Sequence, residues 1–543
     1  MSYPYQLHTL IVEDELSVRE GYAGYFDSIE DDSVVSPTFA VSFDDACAKL
    51  DQSQCYHLII IDLGLPHRNR QKAQDGIEPG LELIRLAANR EAYPVPGVLV
   101  ISGRLGLSSN VSGLNDQLQK GFWHGCMANK GLDAMDKIAE AIGSVHKYCG
   151  IGIHLQDGGS KWYPTLSPRE EDMLRRCALA TDAVGVDLQW WQAERGTSVV
   201  DADSSTGPTK VLAGRFILNQ GQGYSRFTFF KFEPLGNAQY VFPNADLMGK
   251  KLQHVKVCYK ATAGTRALLV TESVSMGEPI AMSEFLCGDT KVITPLIPGV
   301  VADICSQLAQ IGSTEEDQIS LPKLLWPYLA RDQIAEAWSA HADNDLKASA
   351  DPSPLAVFDA LSRSTRIMWI IRNSCTHGDL NASNIAIDML EHGARAFIFD
   401  PGCMMKDVGA RDLAYLEVTS LLFANPPPGE CLVDQCRMLY EGSIVAPVNA
   451  VHSDGSALAQ NTWRLIAEIR NVAVGQCDAG VYALLVFSAA LCQLSGLAVA
   501  PMGNKITNPA SAARLAAVVA RWVSNIIPEA AASCNDDSGP QCE

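Results

Sequence analysis

Residues 58–66 read LIIIDLGLP. Four consecutive apolar residues ending in an aspartate and a Gly/Pro turn suit a strand buried on both faces of a parallel sheet, because a strand with one face in water would alternate. The pattern recurs at Leu7–Val12 and at Val98–Ser102 (VLVIS), with a weaker candidate near Cys126–Ala128, and amphipathic stretches separate the runs. Apolar strands alternating with helices predict a doubly wound α/β domain over residues 5–148. Such sheets collect ligands at the carboxyl ends of their strands. The residues that fall there are Glu13 and Asp14, Asp62, Ser102 and Lys130.

If these side chains converge, three carboxylates suit one Mg²⁺, a hard cation that prefers oxygen. Asp62 can then attack phosphorus while the metal shields the repulsion between anions. Ser102 would hydrogen-bond a phosphoryl oxygen and Lys130 would pair with another. Carboxylates that merely cap strand ends are the plainer alternative.

The set LIVEDE, LIIIDLGLP, GLELI, VLVISG and the late lysine resembles a response-regulator receiver domain, a five-stranded parallel sheet. The resemblance covers about residues 1–148. It implies Asp62 as phosphoacceptor, Glu13, Asp14, Asp62 and the Gly64 carbonyl around Mg²⁺, Ser102 as switch hydroxyl and Lys130 as phosphate-sensing lysine. It also implies a sensor histidine kinase as phosphodonor; receivers of this kind often pair, so a homodimer is one option, although the sequence does not fix the oligomeric state. Three features depart from the pattern: a longer loop after Pro66, Met127 at the usual aromatic switch position, and Gly131 after the lysine.

Residues 149–199 are expected to form a linker. Within it Ser167-Pro168-Arg169-Glu170 is a strong helix start, with Ser as N-cap, Pro at the first position and Glu closing a capping box, for a helix over 167–180. Val211–Glu233 reads as a hairpin turning at residues 219–223, and Arg266–Glu272 as a strand. From about Glu315 the pattern is mainly helical, and residues 531–543 read as a disordered tail.

A second polar constellation lies at residues 376–384 (THGDLNASN), followed by IAI at 385–387 and by AFIFDPG at 396–402. Asp379 and Asn384 are five residues apart, close enough for one loop face, and Asp400 lies 21 beyond Asp379, room for a hairpin that returns to the same ion. Asp379 could accept a proton from an acceptor hydroxyl, with Asn384 and Asp400 holding Mg²⁺ on ATP, because phosphoryl transfer depends on positioning and charge neutralisation. His377 reads as a brace of the loop rather than a base, and Glu417 as a core carboxylate.

These residues, with Arg411–Glu417 (RDLAYLE), resemble the aminoglycoside-phosphotransferase branch of the kinase-like fold, in a form found fused to receivers in bacterial signalling proteins. The resemblance implies a bilobal α+β domain over 200–530, with an N-lobe at about 200–290 and a mostly helical C-lobe at about 291–530. It implies ATP and Mg²⁺ as cofactors and an unidentified phosphate acceptor. Gly221, Gly223 and Lys231 are the candidates for nucleotide binding. The lysine-bearing third strand expected of such an N-lobe aligns best with Ala238–Pro243, which has no lysine. The alternative is therefore a pseudokinase that binds a nucleotide or a partner without turnover.

With 543 residues the chain has room for about three domains. A net charge of −20 argues against nucleic-acid binding, and residues 181–191 offer no basic recognition helix. Sixteen scattered cysteines without a CxxC pair suggest reduced thiols in a cytoplasmic protein. The uncharged stretch 480–502 is expected to be a buried core helix rather than a membrane span.

Overall fold

A computed structural model describes residues 6–29, 37–52, 55–67, 77–103, 113–156, 166–192, 209–218, 223–252, 255–273, 278–325, 329–400, 404–422, 431–441, 455–495 and 509–531. The chain divides into two compact units. The first comprises residues 1–193, 203–235 and 259–270, and the second 194–202, 236–258 and 271–543.

The first unit opens with the expected alternation: β1 (Thr9–Val12), α1 (Leu16–Asp27), β2 (Thr38–Ala40), α2 (Phe43–Asp51), β3 (Leu58–Ile61), α3 (Glu78–Ala88), β4 (Gly97–Ile101), α4 (Leu114–Gly121), β5 (His124–Ala128) and α5 (Leu132–Cys149). The strands form an all-parallel sheet in the order β2-β1-β3-β4-β5. Ile59 and Ile61 pack into a core with Leu50, Leu83 and Leu118, whereas Leu58 and Ile60 pack on the other face with Tyr22, Phe26 and Ile138. Helices cover both faces, which is why this strand is apolar throughout rather than alternating.

A second sheet follows, in the order β10-β11-β9-β8-β7-β6, from β6 (Gly152–Leu155), β7 (Ala183–Gln192), β8 (Lys210–Leu218), β9 (Thr228–Pro234), β10 (Val255–Ala263) and β11 (Arg266–Ser273). Part of the stretch read as a linker is thus strand, and the sheet begins before residue 200. Between β6 and β7 runs α6 (Pro168–Ala180), with the capping box of Ser167 and Glu170 fully formed. The Val211–Glu233 hairpin is present as β8 and β9, although residues 219–222 of its turn, including Gly221, lie outside the described residues.

Ala238–Pro243, expected as a strand, is instead the start of α7 (Ala238–Lys251). Ala238, Val241, Ala245 and Met248 are its buried positions, a helical spacing hidden behind the strand-like run Tyr-Val-Phe.

The second unit is mainly helical but contains more strand than expected after residue 315. β13 (Thr314–Ser320), β14 (Ile367–Thr376) and β17 (Met405–Val408) form one small sheet; β12 (Ile280–Ala281), β15 (Ile385–Leu390) and β16 (Gly393–Ile398) form another. Its core is built by helices Arg411–Leu422, Ala457–Val474, Ala479–Leu494 and Pro509–Ile526. Gly480 through Leu494 are all buried, so this part of the uncharged stretch is a core helix surrounded by protein, and residues 496–502 lie outside the described residues. Among the described residues no helix is long and apolar enough to cross a membrane. The tail expected after 530 lies, from residue 532 on, outside them.

Candidate functional site

The first cluster sits where β1, β3 and β5 end. Backbone bonds fix these ends: Asp62 N–H donates to Val12 O at 3.0 Å, and Ser102 N–H to Ala128 O at 3.1 Å. Glu13 and Asp62 are buried and Asp14 is exposed, and one carboxylate oxygen of each lies within 4.8 Å of the others. Lys130 Nζ donates to Asp62 Oδ2 at 2.7 Å and sits 2.9 Å from Glu13 Oε2. Gly64 N–H donates to Asp62 Oδ1 at 3.2 Å, so Gly64 belongs to the same turn. Ser102 is fully buried at the end of β4. Met127 on β5 packs partly buried against the α2–α4 core.

Burial pushes the Glu13 carboxyl up, and the neighbouring Asp62 adds to this while Lys130 opposes it. For Lys130, burial favours the neutral amine, but hydrogen bonds to Asp62 and Glu13 outweigh it and hold the ammonium charged. Arg19 pins the loop by donating to the Glu13 and Asp14 carbonyls at 2.8 and 2.7 Å. Tyr22, which no sequence pattern singled out, is buried under the carboxylates. Burial first, then Glu13, raises its phenol to about 12. Three convergent carboxylates, two of them buried, form an all-oxygen donor set suited to a hard divalent cation.

The second cluster lies in the second unit. β14 ends at Thr376 and the chain turns through Gly378, at φ +80°, into a polar loop that leads to β15. Asn384 Nδ2 donates to the Asp379 carbonyl at 2.8 Å and approaches its carboxylate at 3.3 Å. Asn381 Nδ2 donates to Asp379 Oδ1 at 3.1 Å. The β15–β16 hairpin brings the following loop back: Ile385 pairs with Ile398, and Phe399 N–H donates to Asn384 O at 3.0 Å. Asp400 therefore lies one residue past the partner of Asn384, at the same hairpin end, with φ +63°. A non-glycine residue held in that conformation is uncommon and tends to occur at functional positions.

His377 is fully buried and its Nε2 lies 3.0 Å from the Phe399 carbonyl, tying the two loops together as a brace. Asp412, in the first turn of helix Arg411–Leu422, accepts both the His377 and Gly378 N–H at 2.8 and 2.9 Å. Burial raises its carboxyl and these bonds oppose that rise. Sequence reasoning quoted Asp412 without a role; only the fold brings it beneath a loop 34 residues upstream. Glu417 is a core carboxylate, fully buried against Arg470 at 2.7 Å.

Lys231 lies on β9, which follows β7 and β8 as the third strand of an antiparallel meander. No lysine lies at 238–243, and Lys231 stands on the strand before that segment. Lys231 is 4% exposed and 2.6 Å from Glu233, which also accepts from Thr209 Oγ1 at 2.7 Å. Gly223 has φ +78°, a turn conformation that glycine takes readily. The cysteines among the described residues are free thiols.

No family model and no curated protein matches this chain. Solved structures that resemble it include a glucosamine kinase (11% identity, 68% of this chain and 84% of that one, TM-score 0.31). A microcompartment-associated aminopropanol kinase is 10% identical over 61% of this chain and 95% of that one, with TM-score 0.31. The Plasmodium vivax ethanolamine kinase is 10% identical over 64% and 88%, with TM-score 0.28.

Proposed function

We propose that this chain is a two-component-type signalling protein. Its parallel-sheet part is a receiver phosphorylated on Asp62 by a sensor histidine kinase, and it regulates a kinase-like part that transfers phosphate from ATP to a hydroxyl acceptor. The observation that carries the receiver reading is the convergence of Glu13, Asp14, Asp62 and Lys130 at adjoining strand ends. In the transfer, an Asp62 oxygen attacks phosphorus, the P–N bond to the donor imidazole breaks, and the imidazole leaves with a proton. Lys130 balances charge on the phosphoryl group. Glu13, Asp14 and Asp62 would hold Mg²⁺, which supplies shielding between the anions.

The kinase-like reading is supported by the loop in which Asn384 and Asn381 fix Asp379 and the hairpin returns Asp400 beside Asn384. Asp379 would accept the proton of the acceptor hydroxyl, and Asn384 and Asp400 would hold Mg²⁺. Lys231 keeps its expected role at nucleotide phosphate by its place on the third strand, and Gly223 is a candidate cover. The pseudokinase alternative, a part that binds a nucleotide or partner without turnover, rests on the absence of a lysine from Ala238–Pro243; the assignment of Lys231 to nucleotide phosphate is the reading that opposes it.

Two measurements on the full chain test this. Acetyl phosphate should label wild type and not Asp62→Asn; label that persists in Asp62→Asn removes the receiver assignment. ATP turnover should fall at least about a hundredfold in Asp379→Ala, the usual scale for a positioned acid–base group. Equal rates leave only a nucleotide-binding scaffold.

A further inference from the structure

α3 reads EPGLELIRLAA, with Gly80 near its start. Gly80 packs directly on the residue after Asp62: a Cβ there would lie 2.7 Å from Leu63 Cα and 3.0 Å from Leu63 O. The two nearest atoms are backbone, which has little room to give, and the Leu63 side chain closes in behind them at 3.1 Å. Eleven helical residues at about 1.5 Å each carry that contact to the far end of the sheet.

At that far end α3 is bolted to the second sheet by buried charges. Arg169 of α6, 1% exposed, donates from Nη2 to Ala88 O at 3.0 Å and to Arg90 O, capping the helix carboxyl end. Its neighbour Glu170 accepts from Lys210 of β8 at 2.7 Å and from Arg266 of β11 at 2.8 Å. Asp172 accepts from Arg169 at 3.3 Å, from Arg176 Nε at 3.0 Å and from the Tyr148 hydroxyl at 2.7 Å. A second link skips α6. Glu91, just past α3, accepts the Thr265 N–H at 2.9 Å in the β10–β11 turn. Gly264 suits this turn, with φ +55°, and leaves room for the Glu91 carboxylate, which a Cβ would meet at 1.8 Å.

Buried charges that lose a partner are costly, so such a joint moves as one piece rather than yielding. The aromatic readout expected on β5 is replaced by Met127, and among the described residues the α4 end meets α6 through Arg176 Nη2 donating to Gly121 O at 3.1 Å. We infer that α3, not α4, carries the state of Asp62 to the six-stranded sheet, through Arg169 and Glu91. This rests on the reading of Asp62 as phosphoacceptor.

The test is amide hydrogen exchange on the full chain with and without Mg²⁺ and beryllofluoride, a phosphoryl mimic. In wild type, exchange should change at residues 58–64, at 86–92 and at 262–267, by about fivefold or more at the last, the lower end of typical coupling. In Glu91→Ala, an exposed position that the fold tolerates, and in Arg169→Gln, the change at 58–64 should remain and that at 262–267 should shrink or vanish. A response at 262–267 that survives both substitutions overturns the inference, as does a wild-type response at 58–64 that spreads only to α4. No change at 58–64, with no heat of binding, defeats the Asp62 reading itself and the α3 route with it. The first two results leave that reading intact.

Discussion

Lys130 Nζ stands 2.7 Å from Asp62 Oδ2, close enough to act as the resident counter-ion of the carboxylate cluster. The same ammonium is shared with Glu13 at 2.9 Å. A divalent cation at this cluster must therefore tolerate or displace a fixed positive charge.

That competition sets the first expectation. Lys130→Met should tighten Mg²⁺ binding by roughly three- to tenfold, the scale of one charge–charge term screened as in water, about 1 kcal/mol. Calorimetric titration of the full chain measures it. Unchanged or weaker affinity would show that lysine and metal do not compete.

Asp412 gives the second. Both of its oxygens accept backbone N–H groups from the loop that carries Asp379. Asp412→Asn replaces one acceptor with a donor facing an amide N–H, at a cost of about 1–3 kcal/mol. A lowered midpoint for the helical unit, together with reduced ATP turnover, is the expected outcome. Full stability with full turnover would mean that the loop holds itself.

The third concerns the core. Glu417 accepts from Arg470 and from the Tyr440 and Tyr482 hydroxyls, and Arg470 also stacks over Tyr440 and Trp522. Arg470→Met should destabilise by about 3–5 kcal/mol because it leaves a buried carboxylate without its cation. Adding Glu417→Leu should recover much of the loss. If the double variant is no better than the single one in urea unfolding, packing rather than charge dominates.

The fourth is a pH dependence at the opposite end of the parallel sheet. Burial, together with the nearby His8, His146 and Arg175, lowers the His57 imidazole from 6.5 to about 4. The folded state thus favours neutral His57, and as pH falls through 6.5 the unfolded chain takes up the proton first. Stability from this group is present above pH 6.5 and is lost progressively down to pH 4, by up to roughly 3 kcal/mol. Thermal midpoints at pH 7 and 4.5 should differ less in His57→Gln than in wild type. Identical differences would assign the acid sensitivity to other groups.

By itself the sequence determined the parallel sheet, the α6 start and the HGDLNASN loop, because each is written in neighbouring residues. Runs such as LIII are apolar throughout only when both faces are covered, and a capping box spans four positions. Short-range signals also located the residues at strand ends, since those ends are where the apolar run stops. Only the tertiary structure decided which of these residues share a site and that Lys231 is buried beside Glu233. Ala238–Phe242 has the composition of a strand, and only packing of Val241, Ala245 and Met248 made it a helix. Arg470 and Glu417 lie 53 residues apart, and Arg169 and Ala88 lie 81 apart. Partners at such separations are chosen by the closing of the chain on its core, a global balance of burial and chain entropy that no local window contains.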